Sequence, residues 1–127
     1  MDKRKNNSDF KRDLIKRSID LSKKTIHLVD KFPKKNATWV ISDQLLRSVT
    51  SIGANFVEAQ SSVSKREFVK FLSIALKSGN ESKYWFFLSK ELDRSLSERI
   101  DELINETEEL VKIIGASIST LKGHRKL

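Results

Sequence analysis

No cysteine occurs among the 127 residues, which excludes a disulfide framework, a thiolate zinc site and a cysteine nucleophile. Only one proline and four glycines are present, so few turns can be of the kinds that demand those residues. Long helices joined by short links are the natural consequence. No apolar run approaches the ~20 residues needed to cross a bilayer. The opening stretch MDKRKNNSDFKRDLIKRS is basic and lacks the uninterrupted apolar segment of a signal peptide. A cytoplasmic protein with no membrane partner is therefore expected.

Charge is abundant and unevenly spread. The formal net charge is +8, from 25 basic and 17 acidic residues. Residues 1–35 hold 12 basic and 5 acidic groups, and residues 63–94 hold 7 and 4. The intervening residues 36–62 hold 1 and 2, and residues 95–127 hold 5 and 6. A positive field of this kind attracts polyanions and speeds encounter with them without selecting a base sequence. Solubility is the simpler role for the same charge.

Four amphipathic segments follow, predicted as helices over about 9–32, 39–61, 65–93 and 96–122. In the first, Phe10, Leu14, Ser18, Leu21, Thr25, Leu28 and Phe32 recur at steps of three or four. Ser8 or Asp9 can cap its start, and Pro33 stops it. The second carries Leu45, Val49, Ile52 and Phe56 in register. Gly53 and Ala54 lie within it, where a small residue admits a neighbouring backbone. Ser64 and Glu67 form a capping box ahead of the third helix, and Ser95 and Glu98 offer another ahead of the fourth. Gly123 is a plausible stop. Residues 1–8 are expected to be a flexible basic extension, and 123–127 a frayed basic tail. Together these describe an all-α, antiparallel up-down-up-down four-helix bundle in a single domain.

Catalytic chemistry finds little to work with. A di-metal bundle needs inward carboxylates and commonly Glu-x-x-His pairs. His27 and His124 have no acidic residue three positions before them, and Glu58 with Glu81 lacks nitrogen ligands. No metal site and no cofactor are expected. Serines are plentiful, but no strand–turn–helix context exposes one as a nucleophile. Glu58 with Glu81 or Glu91 would need a sugar cleft, which a narrow bundle rarely supplies. No glycine-rich phosphate loop is present. A non-enzymatic protein is expected.

Two groups carry more information. Arg47, Ser51, Asn55 and Glu58 share a face of the second helix, and Ser78, Asn80, Glu81 and Tyr84 form a polar cluster on the third. A hydrogen-bonded network fixing helix register is the favoured reading, with a ligand or RNA contact as the alternative. Lys11, Arg12, Lys16, Arg17, Lys23 and Lys24 recur along the first helix, and Lys31, Lys34 and Lys35 extend that surface to the link. Lys65, Arg66, Lys70 and Lys77 add a patch on the third helix. These are candidate phosphate contacts, with no helix-turn-helix, homeodomain, zinc-finger or RRM spacing to read bases. The run Tyr84-Trp85-Phe86-Phe87-Leu88 covers more than one helical face, so Trp85, Phe86 and Phe87 are candidates for a contact with another subunit.

The central segment resembles a known family. Ser51-Ile52-Gly53-Ala54-Asn55 followed by Glu58-Ala59, with Gln44 and Arg47 before it, is similar to the signature of the bacterial 23S rRNA intervening-sequence proteins. Ser64-Lys65, Phe68, Lys70, Ile74-Ala75, Lys77, Asn80-Glu81 and Tyr84-Trp85 continue the likeness, which spans roughly residues 10–122. Ser78-Gly79 departs from it, standing where Glu-Ala is frequent; the glycine would loosen the third helix or permit a closer contact. The resemblance implies a four-helix bundle assembled as a ring-like homopentamer. Some members of the family are encoded inside insertions within 23S rRNA genes. A related accessory protein of diversity-generating retroelements is a basic pentamer that engages nucleic acid and a reverse transcriptase. The family brings no assigned catalytic residues.

The function expected from these observations is that of an RNA- or DNA-associated accessory or scaffold protein, binding phosphate backbone through a basic surface on a homo-oligomer. The alternative is a protein–protein adaptor that binds no nucleic acid and uses the aromatic segment of the third helix as its interface.

Overall fold

Apolar and small hydroxyl residues at three-four spacing commit each segment to a helix with one buried stripe. A computed structural model describes the chain from Lys3 to Gly123, and its elements are α1 (Lys3–Asp30), α2 (Asn36–Gln60), α3 (Lys65–Ser89), a 3-10 turn (Arg94–Leu96) and α4 (Ser97–Leu121). Among the described residues there is no strand. Each helix packs on its chain neighbours and α1 closes on α4, while the backbones of the diagonal pairs α1–α3 and α2–α4 stay apart. The molecule is a four-helix bundle with α2 against α3 as its most extensive seam and α1 against α4 as its sparsest.

The core is a continuous column that includes Leu21, Leu28, Leu45, Ile52, Phe86, Ile100, Leu110 and Ile114. Burying such side chains contributes roughly 1.5–3 kcal/mol each before ordering costs are counted. Several stripe positions are hydroxyls, and most are satisfied inside their own helix, although the buried Ser42 hydroxyl of α2 has no partner among the described residues. Ser18 donates to the Leu14 carbonyl at 2.8 Å, Thr25 to Leu21 at 2.7 Å and Thr107 to Leu103 at 2.8 Å. A small side chain that bonds its own backbone lets helices approach without leaving an orphaned polar group.

Gly53 and Gly79 use the same principle more strictly. A Cβ on Gly53 would lie 3.2 Å from the Cβ of Ser18 on α1, and one on Gly79 would lie 2.6 Å from Cγ2 of Val111 on α4. The close crossing expected at Gly53 is thus present, but Ala54 faces solvent and takes no part. Gly79 brings α3 and α4 together; it does not interrupt α3, which runs unbroken through it.

Helix ends differ in detail from the sequence pattern. The α1 backbone is already helical at Lys3, six residues before the expected start, because nothing in that proline- and glycine-free stretch stops it. Met1, Asp2 and the tail from His124 to Leu127 lie outside the described residues. At the first link Thr38, now inside α2, donates to the Pro33 carbonyl at 2.6 Å and accepts from the Lys35 N–H at 3.4 Å, allowing α2 to begin at Asn36. Ser64 caps α3 by accepting from the Glu67 N–H at 3.1 Å. Ser95 does not cap α4. Asp93 instead accepts from both the Ser95 N–H and the Ser95 hydroxyl, starting the 3-10 turn that leads into α4. These two bonds hold the Asp93 carboxyl below its usual range. Gly123 follows α4 at φ +73°, a conformation suited to glycine.

Candidate nucleic-acid interface

The candidate phosphate-binding cations fall on two separate surfaces. Arg12, Lys16 and Lys23 are exposed and follow at steps of four and seven, on the side of α1 opposite Leu14, Ser18, Leu21 and Leu28. Arg66, Lys70 and Lys77 form the equivalent exposed line on α3. Since α1 and α3 are diagonal, these lines do not merge within one protomer. Lys31 and Lys34 stand exposed at the first link; Lys35 beside them reaches the Leu92 carbonyl at 3.4 Å. Lys65 is exposed at the opposite end, at the start of α3.

Several of these cations already have partners. Arg12 pairs with Asp9 at 2.5 Å and Lys24 with Asp20 at 3.1 Å, both on the exposed surface of α1. The ammonium of Lys11 sits 5.2 Å from the ring centre of Phe68, and that of Lys70 lies 5.6 Å from Phe71. Arg17 departs from the expectation altogether. Its guanidinium donates through Nε and Nη2 to both Glu106 oxygens, at 3.1 and 2.7 Å, and reaches Glu109 at 3.2 Å. The Glu106 hydrogen bonds raise its pKa further above the usual arginine value. Arg17 is a tie from α1 to α4, committed by geometry to carboxylates of its own chain.

The outer face of α2 is different in kind. Val40, Asp43, Arg47, Thr50, Ala54, Val57 and Glu58 recur along it, and Arg47 pairs with Asp43 at 3.0 Å. Trp39, exposed to 68 %, stands at the start of the same helix. α4 presents a largely acidic exterior, with Glu98, Asp101, Glu102 and Glu109 exposed. Lys83 of α3 donates to Glu108 at 2.6 Å, which holds the Glu108 carboxyl below its usual range, and Lys90 pairs with Asp101. Neither pair is visible in local sequence, because the partners lie on different helices.

Only part of the expected polar network forms within the chain. The Ser51 and Ser78 hydroxyls meet across the α2–α3 seam at 2.8 Å, and Asn55 donates to the Ser51 carbonyl at 2.8 Å and its hydroxyl at 3.0 Å. Arg47, Glu58, Asn80, Glu81 and Tyr84 are exposed and stand outside it. Helical geometry separates them: Ser51 and Asn55 face α3, whereas Arg47 and Glu58 are rotated toward solvent.

The aromatic run also divides. Phe86 is fully buried in the core, so it cannot serve as a subunit contact. Trp85 is half-buried, edge-on to Tyr84 at 5.0 Å, and its buried indole N–H has no hydrogen-bond partner among the described residues. Phe87 is 65 % exposed, with the Lys90 ammonium 5.4 Å from its ring centre. Five consecutive large residues therefore reach both the core and the outside of a single helix.

Glu58, Glu81 and Glu91 all lie on the surface, and His27 is exposed on α1. Among the described residues no group of three or more His, Asp or Glu side chains could hold a metal ion, and no helix is long and apolar enough to cross a membrane. A basic, all-helical bundle with separate cationic, neutral and acidic faces is the class of protein defined by these features.

Comparison with known proteins identifies the family. The model of the 23S rRNA-intervening sequence protein family matches residues 11–116, and the chain belongs to that family. A solved structure from Bacteroides thetaiotaomicron, a protein of unknown function from the S23 ribosomal protein family, is similar at 30 % identity with a TM-score of 0.77. The alignment covers 86 % of this chain and 97 % of that one. No curated protein matches the chain.

Proposed function

We propose that this protein is a non-enzymatic, cytoplasmic accessory protein that binds the phosphate backbone of RNA or DNA as a homo-oligomer. The observation that carries the reading is the division of its surface: exposed lines of cations on α1 and α3 flank an α2 face with few charges. Val40, Thr50, Ala54 and Val57 offer that face to a second copy, and the charges among them, Asp43 paired with Arg47 and the nearby Glu58, leave it close to neutral. Five copies is the number implied by the family resemblance. Assembly places basic lines from successive protomers on one particle, and repeated weak phosphate contacts raise avidity without a base-reading motif. Arg12, Lys16, Lys23, Arg66, Lys70 and Lys77 are the principal contacts in this mechanism; Arg17 is not among them.

The test is fluorescence anisotropy with a structured ribosomal RNA fragment, a duplex DNA and a single strand, each at two salt concentrations. Submicromolar binding that weakens steeply with salt, and that Lys16→Glu/Lys23→Glu reduces at least tenfold, is expected. Absence of binding at low salt would overturn the mechanism and leave the protein–protein adaptor as the better reading. Light scattering on the wild type and Val57→Glu tests assembly separately: the wild type should be oligomeric and the variant smaller.

A further inference from the structure

The four helices do not close evenly. At the end formed by the start of α1, the end of α2, the start of α3 and the end of α4 lies a cavity of about 700 Å³. Leu14, Phe56, Phe68, Leu72, Ile113 and Leu121 supply most of its wall. That volume falls within the range of small-molecule sites, which pair an apolar wall with a few polar groups that orient the ligand. The hydroxyl of Ser117 and the amide of Gln60, both in the wall, donate to the carbonyls of Ile113 and Phe56 on their own helices. Among the described residues the one charged side chain lining the cavity is Lys11, and its ammonium is positioned over the Phe68 ring. An adjoining depression shares Leu121 and carries Lys65, Arg66 and Lys122.

We propose that this cavity is a binding site for a straight-chain fatty carboxylate, its alkyl chain between the four helices and its head group paired with Lys11 at the mouth. An apolar interior selects the chain by area removed from water. A cation in the wall, and three more beside the opening, select an anionic head over a cationic one of the same length. The site uses the inside of one protomer and needs neither RNA nor assembly, although Arg66 beside its opening also belongs to the nucleic-acid surface.

Isothermal titration of the full chain with octanoate, decanoate and laurate below their micellar concentrations tests the proposal, with dodecyltrimethylammonium as the cationic counterpart of laurate. One equivalent of laurate per chain should bind, with affinity rising about tenfold for every two methylenes from octanoate. The ammonium should bind at least tenfold more weakly. Ala116→Trp, which fills the cavity from α4, should abolish laurate binding while circular dichroism remains helical. Lys11→Gln alters an exposed side chain and should weaken laurate several-fold while lowering the melting temperature by no more than a few degrees through loss of the Phe68 contact. No laurate binding, equal affinity for the two head groups, or laurate binding unchanged in both variants would overturn the proposal.

Discussion

The seams α2–α3 and α1–α4 join helices by different means. Along α2–α3, small and hydroxyl residues bring the helices close, and the Ser51–Ser78 bond with Asn55 behind it fixes their register. Along α1–α4, Arg17 reaches across to two glutamates, with the apolar cavity toward one end and a polar cleft containing Asp20, Lys24, Glu98 and Glu102 toward the other. The first seam depends on shape and neutral hydrogen bonds; the second depends more on charge. A bundle can thus be tightly built on one side and adjustable on the other without any change of secondary structure.

Core truncations probe that contrast most strongly. Phe86→Ala removes a fully enclosed ring and should cost about 3–5 kcal/mol, read by urea denaturation. Leu14→Ala deletes a side chain that already borders the cavity, so its cost should lie near the bottom of the usual range, at about 2 kcal/mol. Equal costs would mean that the α1 side packs as tightly as the rest.

The glycines probe the remaining two seams, α3–α4 and α1–α2, on a finer scale. Gly79→Ala gains about 1 kcal/mol of helix propensity but drives its methyl into Val111, and should be destabilising overall by about 1–2 kcal/mol. Gly53→Ala meets Ser18 less severely and should fall within about 1 kcal/mol of wild type. Combining Gly79→Ala with Val111→Ala should cost less than the sum of the two changes, a coupling that a double-mutant cycle measures.

Polar ties give smaller effects that differ in their response to salt. Arg17→Met should cost about 1 kcal/mol at low ionic strength and less in high salt. Ser51→Ala should cost a similar amount, about 1 kcal/mol, with little salt dependence. The smallest effect is in pH. Glu108 and Asp93 have carboxyl pKa values lowered by folding, so their stabilisation is present above the unfolded-state values and is lost as pH falls through the folded ones. Melting temperature should therefore decline below about pH 4.5, and Glu108→Gln should flatten part of that decline.

Local pattern in the sequence was sufficient for the four helices, the buried stripes and the Ser64 cap, because each depends on residues within a few turns of one another. Even Ser18 and Thr25 could be placed in the core, since their hydroxyls bond within the same helix. Contacts between helices were far less legible. Arg17 follows Lys16 in a basic stretch, and nothing nearby reveals that its partners lie 89 and 92 positions away. The Arg47–Glu58 group was read as one face, yet a modest rotation separates the two residues that reach α3 from the two that face water. Phe86 and Phe87 illustrate the same limit: adjacent and chemically identical, they project about 100° apart, one inside and one outside.

The Arg17 fork also governs how the molecule breathes. With its sparse seam to α4, α1 is the element whose release disrupts the least packing, leaving α2, α3 and α4 as the more persistent unit. Native-state hydrogen exchange should then resolve two cooperative blocks, with α1 amides exchanging through a sub-global opening. Salt, by weakening the fork, lowers the free energy of that opening, and because the opening is the smaller of the two free energies, the same loss is a larger share of it than of global stability. Ionic strength thereby becomes a control on how often the interior of the bundle meets solvent.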